Sequence, residues 1–357
     1  MLRRTALCYG VFSASHQGGE VVKALVFEKP YQAVVRDFPD PQAGEGEIVI
    51  KVHRAGICGT DLHIYEGDYL SNYPIIPGHE FAGTVAEVGA GVKDFAVGDR
   101  VAADPNIFCG SCLYCRTHRA NQCSNFAAIG VTRHGAMAEY VAVPARTAVK
   151  LPDHLTFQQA AMIEPVACVV YALQRLSVRP GDRAILFGAG AMGQQLVQAL
   201  RSTGVSELAV VDLSDDKLAL AMQYGATHPI HANNLEAVLP AGKRNFDIVV
   251  DATGIPKVIE QAISYIGPAG KYLQFGVAPK SATIPLRPFQ LFNLDWTLIG
   301  SMAIHHSFIP AVQWVATERI AVDPIVTKVI GLQEAAQYFQ SARSPRDMKV
   351  QIQIDEG

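Results

Sequence analysis

Residues 184–193 read AILFGAGAMG: four apolar residues, a glycine-rich turn, and the opening of an amphipathic stretch that continues as QQLVQALRSTG. A second apolar strand, AVVD, follows that stretch and ends in Asp212. A strand, a G-x-G-x-x-G turn, a helix and an acid at the end of the next strand mark a dinucleotide-binding βαβ unit, and the context makes a weak motif specific. Gly188 permits the tight turn, Gly190 lets the backbone approach a pyrophosphate, and Gly193 lets helix and strand pack closely. The helix N-terminus at Ala191 and Met192 attracts the anion. Asp212 is expected to accept hydrogen bonds from a ribose diol. A 2′-phosphate would meet its negative charge and no arginine follows it at once, so NAD is expected over NADP, with Lys217 softening the inference. The residues leave open a flavin, or a glycine-rich turn that binds nothing.

Around this unit, from about residue 169 to 299, near-continuous apolar strands alternate with amphipathic helices: AILFG, AVVD, DIVVDATG and KYLQFG between MGQQLVQALRSTG, DDKLALAMQYGA and KVIEQAISYIG. That pattern predicts a parallel sheet covered on both faces. Residues 22–149 read differently, as short strands (VKALVF, EIVIKV, FAGTVAEVG, GDRVAA, EYVAV) punctuated by Gly, Pro and Asp, which predicts barrel-like β structure. The closing strand MKVQIQI is expected to return to that first domain. The expected organisation is an extension over 1–21, a catalytic β domain over 22–168 with a metal lobe at about 105–125, a nucleotide domain over 169–299, and a return over 300–357. The first twenty residues, MLRRTALCYGVFSASHQGGE, carry two arginines, two serines and no acid before Glu20. They are expected to lie outside the fold of a cytoplasmic protein, with a mitochondrial presequence as the alternative.

Composition excludes other classes. The chain is 49% hydrophobic and 18% charged, with a formal charge of −3. Its basic clusters, Arg3-Arg4 and Lys243-Arg244, are too short for a nucleic-acid groove. No uncharged apolar run reaches the roughly 18–20 residues needed to cross a bilayer, so neither nucleic acid nor membrane is an expected partner.

Four of seven cysteines fall in CGSCLYCRTHRANQC: Cys109, Cys112, Cys115 and Cys123. Such spacing wraps four thiolates about one zinc ion with no open position, a structural site; an iron–sulfur centre is the alternative. A second, mixed donor set is scattered: Cys58 in AGICGTDLHIYEG, His79 and Glu80 in PGHEFAG, and Glu164 in AAMIEPVACVV. Each alone reads as an ordinary buried or capping residue. Beside a closed zinc module and a dinucleotide fold they read jointly as a second zinc site, one that leaves room for chemistry.

At this point the chain resembles the zinc-dependent medium-chain dehydrogenase/reductase superfamily, and more closely its polyol branch (sorbitol-, arabinitol- and threonine-dehydrogenase-like). The resemblance rests on GICGTDLHIYEG, PIIPGHEFAGTVAEVG, VGDRV, the four-cysteine lobe, IEPVACVV, and GAGAMG with Asp212, in that order, from Val22 onward. It implies an α/β fold, a GroES-like β-rich catalytic domain with an inserted Rossmann domain. It also implies that Cys58 and His79 ligate catalytic zinc, that Glu80 enters or leaves the coordination sphere, and that Glu164 replaces the cysteine of two-thiolate alcohol dehydrogenases. Thr60 matches the hydroxyl that contacts the substrate oxygen, and His63 the relay to solvent.

The expected chemistry is oxidation of a secondary hydroxyl. Zinc lowers the hydroxyl's pKa, Thr60 passes its proton toward His63, and NAD takes the hydride. Tyr65, Glu66, His134 and Glu164 would suit a polyhydroxylated chain, with ordinary surface or loop packing as the alternative for Tyr65 and His134, so a sugar alcohol is expected first, then a butanediol-like diol, then threonine. A non-enzymatic or quinone-reducing relative is the different class kept in view. The apolar TLIGSM is expected to form a sheet edge that joins subunits into a homodimer or homotetramer.

Overall fold

The computed structural model describes residues 21–240, 245–342 and 344–355 of 357. The expected N-terminal extension, apart from Val21, and the Lys243-Arg244 pair lie outside the described residues. Two sheets organise the rest. The first is six-stranded and wholly parallel, in spatial order His228–His231, Glu207–Asp212, Arg183–Phe187, Phe246–Asp251, Ile266–Gln274, Thr297–Gly300. Numbered within the unit this is 3-2-1-4-5-6, the doubly wound nucleotide-binding order, with its switch point beside the strand that leads into Gly188.

The continuous apolar strands are explained by the two cores they separate, because alternate residues point to opposite faces. Ala184, Leu186, Leu208, Val210, Ile248 and Val250 point to one face, against helices Ile163–Leu176, Ala191–Ser202 and Phe308–Ala316. Ile185, Phe187, Ala209, Val211 and Val249 point to the other, packed with Ile259 and Ile263 of helix Pro256–Ile263. Thr297–Gly300 is one of the sheet's two edges, with Leu298 exposed and the nearby Phe289 and Phe292 more so.

The second sheet is built around the long strand Glu47–Ile57, which pairs antiparallel with Glu80–Val88, Tyr140–Pro144 and Lys349–Gln353. Arg100–Ala103, Ala148–Lys150 and Val326–Gly331 extend it. Chain from both ends of the sequence thus meets in one sheet. The break in alternation at FAGTVAEVG has a local cause: a Cβ on Gly83 would lie 1.9 Å from the Lys51 carbonyl, so only glycine lets the two strands close. The short pair Asn106–Ile107 and Ala127–Ala128 closes the neck of the cysteine lobe. Helix Ile163–Leu176 shares one apolar core with Ala82 and Ala102 of this sheet and with the parallel sheet, which carries Glu164 to the junction between them.

Candidate zinc and nucleotide sites

Cys58 ends the strand Glu47–Ile57 and caps helix Gly59–Glu66, while His79 and Glu80 open the neighbouring strand. The ligand atoms of Cys58, His79 and Glu80 lie within 4.8 Å of one another. Glu164 falls outside that set but near it, and the charges on His79, Glu80 and Lys349 act on its carboxyl. Sulfur, nitrogen and oxygen donors converging on one point suit zinc and leave a position open.

Two residues that the sequence reading missed assemble this set. Asp61, fully buried, accepts the Cys58 amide at 2.8 Å and the Gly78 amide at 3.2 Å, so one carboxylate ties together the turns bearing both ligands. Its Oδ1 lies 3.5 Å from His79 Nδ1, which has no closer hydrogen-bond partner among the described residues, an arrangement in which a metal would take Nε2 and the carboxylate face Nδ1. The signal for Asp61 was available, three residues after Cys58 in GTD. Lys349 had no local signal. Its buried ammonium donates to both oxygens of Glu80 at 2.7 Å and to the Ile57 carbonyl at 3.2 Å. Gly56 is needed here, since a Cβ would lie 2.1 Å from Glu80 Oε2.

The electrostatics of the site favour a cation. Burial alone would lower His79, but Asp61 and Cys58 hold it well above the usual histidine range. Burial pushes the Glu164 carboxyl up to about 7, and the Cys168 thiol donates to it at 3.7 Å. A metal must displace the His79 proton, so its affinity falls as pH falls. Competition with a chromophoric chelator is expected to show zinc held at least about tenfold more weakly at pH 6 than at pH 8 at this site; a pH-independent affinity would contradict the assignment.

Thr60 and His63 lie three residues apart on Gly59–Glu66, hence on neighbouring positions of one face. Thr60 is half-buried, and His63 is 38% exposed with Nδ1 3.9 Å from Glu66 Oε2. Two of the residues expected to edge a substrate pocket are structural instead. Tyr65 packs among Phe27, Tyr31 and Phe339 and donates to the Tyr31 carbonyl, and His134 Nδ1 accepts the Ile76 amide.

In the cysteine lobe the sulfurs of Cys109 and Cys115, and of Cys112 and Cys123, are 3.9 Å apart, and those of Cys109 and Cys123 3.5 Å. Four thiolates about 2.3 Å from a zinc ion at tetrahedral angles would sit about 3.8 Å apart, so the set fits the ion. Backbone amides of Cys109, Cys112, Cys115 and Asn125 point at the sulfurs, and hydrogen bonds from Ser111 and Cys112 pull the Cys109 thiol down to about 5. The lobe docks inward: Asn121 Nδ2 donates to the Tyr171 hydroxyl at 3.2 Å and to the Met302 carbonyl at 3.3 Å.

At the nucleotide turn, Gly188 has φ +98°, a Cβ on Gly190 would face open space, and one on Gly193 would lie 2.0 Å from the Gly188 carbonyl oxygen. Asp212 accepts the Ala189 amide at 2.7 Å and the Ser214 amide at 2.9 Å, which fixes its carboxylate beside the turn while each oxygen keeps a second lone pair. Gly193→Ala is expected to cost about 1–3 kcal/mol of stability. Gly190→Ala should leave the denaturation midpoint unchanged and weaken NADH binding by fluorescence titration. Equal destabilisation by both would contradict these separate roles.

No helix among the described residues is long and apolar enough to cross a membrane. Residues 44–153 match the family "Alcohol dehydrogenase GroES-like domain" and residues 191–317 the family "Zinc-binding dehydrogenase". The chain is 31% identical to D-arabinitol dehydrogenase 1 of Uromyces fabae, over 92% of this chain and 96% of that one. It is 33% identical to D-altritol 5-dehydrogenase of Agrobacterium fabrum, over 92% and 98%. Threonine 3-dehydrogenases are also among its relatives, so the likeness spans several branches rather than the polyol branch alone. A zinc-binding dehydrogenase from Sinorhizobium meliloti, solved with NADP, superposes with TM-score 0.90 at 30% identity, covering 94% of this chain and 100% of that one. An alcohol dehydrogenase from Escherichia coli CFT073, solved with NADH, gives 0.88 at 29% identity over 94% and 100%. The chain therefore belongs to the zinc-binding medium-chain dehydrogenase/reductase superfamily, as an NAD(P)-dependent oxidoreductase.

Proposed function

We propose that the chain oxidises a secondary hydroxyl of a polyol or sugar alcohol to a ketone with hydride transfer to NAD, and catalyses the reverse. The observation that carries this is Glu164, a buried carboxylate beside Cys58, His79 and Glu80, where two-thiolate alcohol dehydrogenases have a cysteine. The names of the arabinitol and altritol dehydrogenases support it. Cys58 and His79 hold the zinc; Glu80, pinned by Lys349, and Glu164, which has no ion pair among the described residues, are its two carboxylate neighbours. Zinc held there supplies Lewis acidity that lowers the pKa of the substrate hydroxyl. Thr60 Oγ1 accepts the hydroxyl proton and His63 carries it to water, for which its exposure suits it. Gly188, Gly190, Ala191, Met192 and Gly193 cradle the pyrophosphate. Asp212 holds the ribose diol and disfavours a 2′-phosphate, so kcat/KM is expected to be higher with NAD than with NADP.

Residues 22–168 and 300–357 form the catalytic unit in this proposal, with 169–299 as the nucleotide unit. The exposed edge Thr297–Gly300 pairs with its equivalent in a second subunit, giving a homodimer or homotetramer, which light scattering reads directly. The test of substrate class is NADH formation across a panel of pentitols, hexitols, 2,3-butanediol and threonine, before and after chelation. Chelator-sensitive turnover of a polyol with the highest kcat/KM is expected. Preference for butanediol or threonine would move the chain to that branch, and silence across the panel in zinc-loaded protein would overturn the proposal.

A further inference from the structure

The strand that ends at Cys58 also lines a second cleft. Between Glu47–Ile57, the opening of helix Phe157–Ala160 and the chain leaving Lys349–Gln353 lies a space of about 340 Å³, walled by His53, Arg54, Phe157, Gln158, Asp323 and Asp355 among others. None of the zinc-site or nucleotide-turn residues lines it.

His53 is 6% exposed. Its ring stacks on Phe157 at 4.2 Å and its Nε2 lies 3.2 Å from the Thr84 hydroxyl, which leaves Nδ1 buried without a hydrogen-bond partner among the described residues. Beside it Arg54 is half-buried, and its Nη1 is buried with no hydrogen-bond partner among the described residues. Burial accordingly lowers the guanidinium's pKa. The two acids of the wall are engaged elsewhere. Asp323 accepts the side-chain amides of Gln158 and Gln159 at 2.8 and 2.7 Å, and Asp355 pairs with Lys51, its Oδ2 standing 3.9 Å from His53 Nδ1. A half-buried guanidinium with one nitrogen left unpartnered gains from a ligand that accepts from it, and its fork matches the planar or tetrahedral geometry of an oxyanion.

We propose that this cleft binds a compact oxyanion, a carboxylate or a phosphate, held by Arg54 with the His53 imidazole beside it. The volume is at the lower end of small-molecule sites, which limits the occupant to a small metabolite or free anion.

The test uses the full chain, zinc-loaded and saturated with NAD so that neither of those sites can answer. Titration calorimetry with inorganic phosphate and, separately, malonate is run against chloride at matched ionic strength. One saturable site per chain is expected for at least one of the two anions, and which one binds separates phosphate from carboxylate as the source. Arg54→Gln should weaken that binding by about tenfold or more while leaving dehydrogenase turnover unchanged. His53→Gln should weaken it less. Should Arg54→Gln fail to fold, Arg54→Lys, which keeps the charge and loses the fork, should still weaken binding. Absence of saturable binding of either anion to the unaltered protein, or undiminished binding in the Arg54 and His53 variants, would overturn the proposal.

Discussion

Replacing Cys58 with serine, or His79 with alanine, is expected to lower turnover at least about 1000-fold, the equivalent of about 4 kcal/mol of transition-state stabilisation. Zinc content should fall by the catalytic ion alone, because the four cysteines of the lobe form a separate cluster. Serine offers a harder, weaker donor than a thiolate, and alanine offers none. The fold should persist, since the Asp61 carboxylate still receives the amides of residue 58 and Gly78. NADH fluorescence titration should therefore give unaltered affinity. The decisive comparison is metal content against rate: full turnover in a variant that has lost this zinc would remove the metal from the chemistry.

The second large effect is expected at Lys349. Its ammonium and the Glu80 carboxylate are 4% and 1% exposed, so Lys349→Ala leaves a buried carboxylate without its cation. Breaking such a pair by removing one partner costs about 3–5 kcal/mol. Burial would by itself lower the lysine's pKa, but Glu80 holds it above its usual range, so the ammonium persists throughout the range in which the enzyme can be assayed. A denaturation midpoint that falls for Lys349→Ala and recovers in part for Lys349→Met with Glu80→Gln is the expected pattern. An unchanged midpoint in the single variant would show that the pair contributes nothing to folding.

What could be read from the chain follows the range over which each constraint acts. The nucleotide turn was legible because the three glycine requirements are local: a positive φ at 188, open space at 190 and a carbonyl contact at 193 all fall within one turn. The cysteine lobe was legible for the same reason. The scattered donors Cys58, His79, Glu80 and Glu164 could be named but not placed, and the structure brings three of them within ligand distance with the fourth alongside. Tyr65 could be read either way because an aromatic on a short helix carries the same signature whether it edges a pocket or fills a core, and here three aromatic neighbours surround it. Lys349 is 269 residues from Glu80, beyond any periodicity or spacing argument. The unpartnered Nη1 of Arg54 is equally silent in sequence, where a solvated arginine is the ordinary expectation.

The pairing of Lys349–Gln353 with Glu47–Ile57 also sets an order of events during synthesis. Translation adds roughly 5 to 20 amino acids per second, so on the order of 13–54 s separates the emergence of Glu80 from that of Lys349. Throughout that interval Glu80 has no ammonium to meet and the central strand lacks its terminal neighbour, whereas the parallel sheet has every strand it needs once Gly300 has emerged, well before Lys349. The nascent protein is then a finished nucleotide binder attached to an unfinished metal centre. Ribosome-released chains stopped just short of Lys349 would be trapped at this stage, able to hold dinucleotide before they can secure the catalytic ion.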